Sequence, residues 1–121
     1  MIKEDYVSLE TAKLLNEKGF NWNCESKRFY PEPDYDQESP DGVYAPTLQM
    51  VMKWLREVHN LHCYSDYDIV LGWYCQITSL TETVEYDYEE MKHYHPYNDN
   101  GFSSPEQACE AAIKYCLENL L

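Results

Sequence analysis

From Tyr44 to Asn60 the chain reads Tyr-Ala-Pro-Thr-Leu-Gln-Met-Val-Met-Lys-Trp-Leu-Arg-Glu-Val-His-Asn, and this run specifies a helix by its start, its face and its end. Thr47 stands where an N-cap is needed, behind Pro46, which cannot lie inside a continuing helix. Leu48, Val51, Met52, Leu55 and Val58 follow at steps of three and four, and Trp54 widens the stripe. Lys53, Arg56 and Glu57 take the wet side, and Asn60 suits the left-handed residue that ends a helix. A helix this amphipathic needs a surface to cover. The chain offers one in Ile69 to Thr78, where Ile69, Leu71, Trp73, Cys75 and Ile77 are all apolar, the period-two mark of a strand with one face on a core. The expectation is that the helix covers that face.

The remaining elements follow from caps and breakers. Ser8 to Gly19 reads as a short helix with Ser8 as N-cap, Glu10 in the positive first turn and Gly19 as the stop. Phe20 to Cys24 and Lys27 to Tyr30 alternate aromatic with polar residues around Glu25-Ser26, which predicts a small hairpin. Pro31 to Gly42 holds three prolines, a glycine and five acids with no base, and therefore reads as an exposed loop. Leu61 to Tyr67 reads as a strand, and a further strand near Glu89 to Tyr94 is weakly marked. Ser104-Pro105-Glu106-Gln107 opens a last helix with an N-cap, a proline at the first position and a capping box. Its buried face is Cys109, Ala112, Ile113, Cys116, Leu117 and Leu120, and Ala108 and Ala111 allow close approach to a sheet.

The order is α-β-β-α-β-β-(β)-α, which predicts a single α+β domain over residues 1–121, a small antiparallel sheet packed by two or three helices. The second half runs in the order of a double-stranded RNA-binding domain. Such domains hold RNA with basic residues at the start of the last helix, where this chain has Pro105-Glu106-Gln107.

Charge narrows the function further. The net charge of −13 disfavours direct contact with nucleic acid or anionic lipid, both of which are bound through Lys and Arg. It favours a basic protein partner. Five cysteines without a C-x-x-C pair read as reduced thiols, and no apolar run is long enough to span a membrane, so the expected location is the cytoplasm.

Sites of chemistry are harder to find. His59, His62 and Cys63 with His93 and His95 are all zinc-ligand types, but alternation sends His62 and Cys63 to opposite faces of a strand. Asp34, Asp36 and Glu38 alternate like calcium ligands, yet Ser39 stands where an EF-hand loop has glycine and Ala45 where it has glutamate. The cysteines sit in apolar or acidic surroundings, which do not make thiolates. No metal, cofactor or catalytic residue is therefore assigned. The chain's twelve tyrosines suggest a binding surface instead, and Tyr67, Glu82, Glu85, Tyr86, Asp87, Tyr88, Glu89 and Glu90 are the expected patch. The same acids allow two other readings, a nucleic-acid mimic and a small enzyme or metal protein.

Two stretches also carry a resemblance. Ala45-Pro46-Thr47-Leu48-Gln49-Met50-x-Met52-Lys53-Trp54-Leu55-Arg56-Glu57-x-His59-Asn60 and Glu106-x-Ala108-Cys109-Glu110-Ala111-Ala112-Ile113-Lys114-Tyr115-Cys116-Leu117-Glu118-Asn119-Leu120 resemble a family of small uncharacterised proteins of phages, prophages and mobile elements of gut bacteria. The resemblance implies an accessory protein of a mobile element. It carries no catalytic residues to transfer.

Overall fold

The helix nearest the middle of this protein is the last one. In the computed structural model, which describes residues 5–22, 27–32, 41–70, 72–87, 89, 91, 97–98 and 101–121, helix α3 (Pro105–Tyr115) is buried along every residue from Ala108 to Lys114. Three alanines in that run, Ala108, Ala111 and Ala112, let neighbours approach on several sides at once. Ile113, Cys116 and Leu117 fill the remaining space, and burying a side chain such as Ile113 contributes roughly 1.5–3 kcal/mol. The last turn, Cys116–Leu120, widens to π-helical spacing.

Around this axis stand helix α1 (Leu9–Glu17), a hairpin of β1 (Lys27–Glu32) and β2 (Asp41–Pro46), helix α2 (Leu48–His59), and strands β3 (Leu61–Asp68) and β4 (Gly72–Ser79). Three two-residue strands follow: β5 (Glu85–Tyr86), β6 (Tyr97–Asn98) and β7 (Gly101–Phe102). The chain is a single small α+β domain. β4 is the middle of its larger sheet, with β3 along one edge and β5 and β7 on the other, and all pairings are antiparallel. α3 packs on the inner face of β3 and β4, while α2 packs against β3 and α3 and α1 against β2 and α3.

The helix ends form as their sequences dictate. Ser8, Thr47 and Ser104 each accept a hydrogen bond from the backbone N–H three residues on, at 3.3, 3.2 and 3.2 Å. α1 ends in a Schellman motif: Gly19 has φ +88°, its N–H donates to Asn16 O at 3.3 Å, and Phe20 N–H donates to Leu15 O at 2.9 Å. Asn60 closes α2 in the left-handed region at φ 58°. The capping box of α3 is only half made, because Gln107 Oε1 is buried without a hydrogen-bond partner among the described residues.

Several expectations need correction. The first hairpin pairs β1 with β2, Lys27 opposite Pro46 and Glu32 opposite Asp41, so Pro31, Glu32, Asp41 and Gly42 of the expected loop are strand residues. Phe20 to Trp22 forms no strand; Phe20 stands edge-on to Trp54 with ring centres 5.2 Å apart, filling space beside α2. Residues 23–26 and 33–40 lie outside the described residues. The strand predicted from Ile69 begins at Gly72, and Ile69 and Val70 form the turn before it. Finally, the face of Cys75 and Ile77 is covered by α3, whose alanines permit closer seating than the Trp54-bearing face of α2. Of the third strand, Glu89 and Met91 are not in strand conformation and residues 92–94 lie outside the described residues; β5 and β7 flank β4 instead.

Two charged side chains accompany α3 into the interior. Glu110 accepts hydrogen bonds from Ser8 N–H at 2.7 Å and Thr11 Oγ1 at 2.9 Å, so it fixes the first turn of α1 from a different helix. Lys114 reaches Glu10 at 3.4 Å. Replacing Glu110 by Ala strands the Ser8 and Thr11 donors and should cost about 2–3 kcal/mol, read as a lower midpoint of urea unfolding. Glu110→Gln, which keeps an acceptor oxygen, should lose less than half of that; equal losses would show that the carboxylate oxygens are not what holds α1.

Candidate functional site

Antiparallel register assigns every side chain of the larger sheet to one of two faces. Leu61, Cys63 and Ser65 lie opposite Ser79, Ile77 and Cys75 and face α3. His62, Tyr64 and Asp66 lie opposite Thr78, Gln76 and Tyr74 and face away from it, joined by Glu85 of β5, which pairs with Thr78. This outer face is polar and aromatic. The His62 and Tyr64 rings stack with centres 5.3 Å apart and 26° between planes. Tyr64 donates its hydroxyl to Gln76 Oε1 at 2.6 Å, and Gln76 donates its amide to Glu85 Oε2 at 3.1 Å, so a three-residue chain holds the exposed carboxylate in place. Burial pushes the Tyr64 phenol above its ordinary value, and Tyr74, Glu85 and Asp66 add to the shift.

The described bases are confined to one part of the domain, whereas acids occur throughout. No Lys or Arg occurs between Arg56 and Lys92, so the described part of the larger sheet and its turns carries Asp66, Asp68, Glu82, Glu85, Asp87 and Glu89 without a base. The described bases lie elsewhere: Lys13 on α1, Lys18 at its end, Lys27 and Arg28 on β1, Lys53 and Arg56 on α2, and Lys114 on α3.

The patch expected from sequence is divided among several places. Glu85 belongs to the outer face. Tyr86, its neighbour, is turned inward by alternation, opposite Ile77, and its ring lies 5.6 Å from that of Tyr115. Glu82 sits in the turn after β4, with its N–H donating to Ser79 Oγ at 3.0 Å. Asp87 and Glu89 are exposed just beyond β5, linked by a 3.0 Å bond from Glu89 N–H to Asp87 Oδ1. Tyr67 stands at the far end of β3, its ring edge-on to Trp73 at 5.1 Å. Tyr88 and Glu90 lie outside the described residues. His62, Tyr64, Tyr74 and Gln76 were missed, although the even positions of Leu61 to Tyr67 and of Ile69 to Thr78 carried the signal.

The metal-ligand types also separate. Among the described residues no group of three or more His, Cys, Asp or Glu is placed to hold a metal ion. His62 and Cys63 lie on opposite faces, and His59, at the end of α2, has its ring edge-on to Trp54 at 4.6 Å and a pKa lowered by burial. His93, His95 and the loop acids Asp34, Asp36 and Glu38 lie outside the described residues. Four thiols instead line the seam between sheet and α3: Cys63 Sγ and Cys116 Sγ are 3.4 Å apart, Cys75 donates to Met91 Sδ at 3.4 Å, and Cys109 donates to Ser65 Oγ at 3.3 Å. All four are free and buried. The hydrogen bond with Cys116, with burial, lifts Cys63 well above its ordinary value; burial pushes Cys75 up to about 12 and raises Cys109.

No family model, curated protein or solved structure matches this chain.

The thiols give a pH test with a defined sign. A neutral thiol whose folded pKa exceeds its unfolded value of 9.0 favours the fold fully below pH 9, and that contribution is lost as pH rises toward the folded value, about 12 for Cys75. The urea midpoint should therefore fall from pH 9 upward, less so in Cys75→Ala. In a Cys24→Ser background, a thiol reagent at neutral pH should label the folded protein only at the rate of unfolding. Rapid labelling would contradict the buried placement.

Proposed function

We propose that this chain is a non-enzymatic accessory protein that works by binding a basic protein, and that the larger sheet is the side it presents. The observation that carries the reading is the confinement of the bases: the larger sheet and its turns have six described acids and no base, while the described bases lie on the helices and the first hairpin, alongside acids of their own. Tyr64 and Tyr74 add flat, amphipathic rings of the kind enriched at interfaces. The Tyr64–Gln76–Glu85 chain lowers the entropy lost when Glu85 is ordered by a partner. The resemblance to proteins of phages and mobile elements supplies the context, a cytoplasmic factor acting on a host or phage protein. No helix among the described residues is long and apolar enough to cross a bilayer. The competing idea of a nucleic-acid mimic needs an unbroken track of carboxylates; on the outer face Asp66 and Glu85 have the neutral Tyr64 and Gln76 between them.

Capture from bacterial lysate at low salt, followed by purification and titration of the retained protein, tests the reading. Affinity should fall steeply as salt rises. The double charge reversal Asp66→Lys with Glu85→Lys should weaken it by about tenfold or more at low salt. A partner held equally well at high salt, or by the reversed variant, would end the proposal.

A further inference from the structure

The turn between β3 and β4 is built like a hairpin turn but filled like a core. Asp68 Oδ1 accepts a 2.7 Å hydrogen bond from Val70 N–H, and Gly72, paired with Asp68, supplies the left-handed residue at φ +77° that lets β4 start. Such a turn is best served by Asn, Asp or Gly at its apex. This one has Ile69, 92% exposed, and Val70, 78% exposed. Tyr67 beside them is 58% exposed and braced edge-on against Trp73. Among the described residues nothing covers Ile69 or Val70, and β-branched residues are poor turn formers. Their alternation continues the apolar pattern of β4 beyond the point where the core stops, which is why the sequence reads as a buried strand. Interior residues on a stiff protrusion mark a contact that the single chain does not make.

Resting on the reading of a basic protein partner, we infer that the β3–β4 turn is the anchor of that interaction: Ile69 and Val70 enter an apolar pocket of the partner, and the basic rim of that pocket meets the acidic sheet side around Asp66. Charge complementarity selects this occupant over two others. An anionic bilayer would be repelled by a chain of net charge −13. A second copy offers a cleft of suitable character, lined by Phe20, Trp22 and Tyr44 with Lys27 beside it, but two such chains repel one another as wholes.

A photo-crosslinking amino acid at position 69, with position 53 on α2 as control, is introduced in bacterial cells, and the adduct is identified by mass spectrometry, purified and titrated. The expected result is an adduct from position 69 alone, to a protein whose affinity drops roughly 30-fold or more with Ile69→Asn plus Val70→Asn. That double variant should keep the wild-type urea midpoint and the wild-type salt dependence of whatever binding remains. If it binds the purified partner as tightly as wild type while Asp66→Lys with Glu85→Lys weakens binding, the anchor is wrong and the acidic surface stands. If neither variant matters, or salt does not, both fall. Two further results would overturn the anchor: binding to phosphatidylglycerol vesicles that the double variant abolishes, and dimerisation in sedimentation that it abolishes. So would an adduct pattern at position 69 no different from that at 53.

Discussion

A carboxylate carried into a protein interior has to find donors there, and Glu110 finds them at the start of α1, in the backbone N–H of Ser8 and the hydroxyl of Thr11. The arrangement solves two problems at once. The first turn of any helix has N–H groups without intrahelical partners, and a buried carboxylate has lone pairs to satisfy. Ser8 caps Thr11 N–H locally, and Glu110 takes the N–H of Ser8 itself and the Thr11 hydroxyl. α1 is thereby tied to α3, and α3 in turn holds the sheet. α3, whose small residues admit neighbours on several sides, packs against α1, α2 and both long strands of the larger sheet.

That central placement leaves the opposite face of the sheet without a helical cover among the described residues, and the sequence has equipped that face accordingly. Its polar groups bond to one another across strands rather than to a core. Its charges are of one sign because every described base has been spent on the helices and the first hairpin. An uncovered sheet face, a net negative field and an apolar turn at one end are separate features with a common implication: the domain is finished on its helical side and unfinished on its sheet side.

Legibility in the sequence followed the range of the interaction. The caps at Ser8, Thr47, Ser104, Gly19 and Asn60 were readable because each is a contact within one turn of chain. The partner of β1 was not, because the choice between residues 20–24 and 41–46 depends on where α1 and α2 place the strands. Glu110 and Lys114 lie off the buried face expected from sequence, since their partners Ser8, Thr11 and Glu10 are about a hundred positions away in the chain. The acidity of the sheet side was legible as composition, but its geometry was not: alternation parts Glu85 from Tyr86, and no count of acids and tyrosines contains that fact. Ile69 and Val70 misled because the apolar rhythm of β4 runs on past its fold-imposed end.

The bond from Ser8 to Glu110 spans 102 residues of chain. Closing so long a loop adds little to the equilibrium cost, since each doubling of loop length adds only about 0.6 kcal/mol. Its consequence is kinetic. Apart from its local caps at Ser8 and Gly19, α1 is a nine-residue helix, too short to persist alone. A contact between such distant residues is closed against chain entropy before it rewards the fold, and a clasp closed after the rate-limiting step slows unfolding rather than speeding folding.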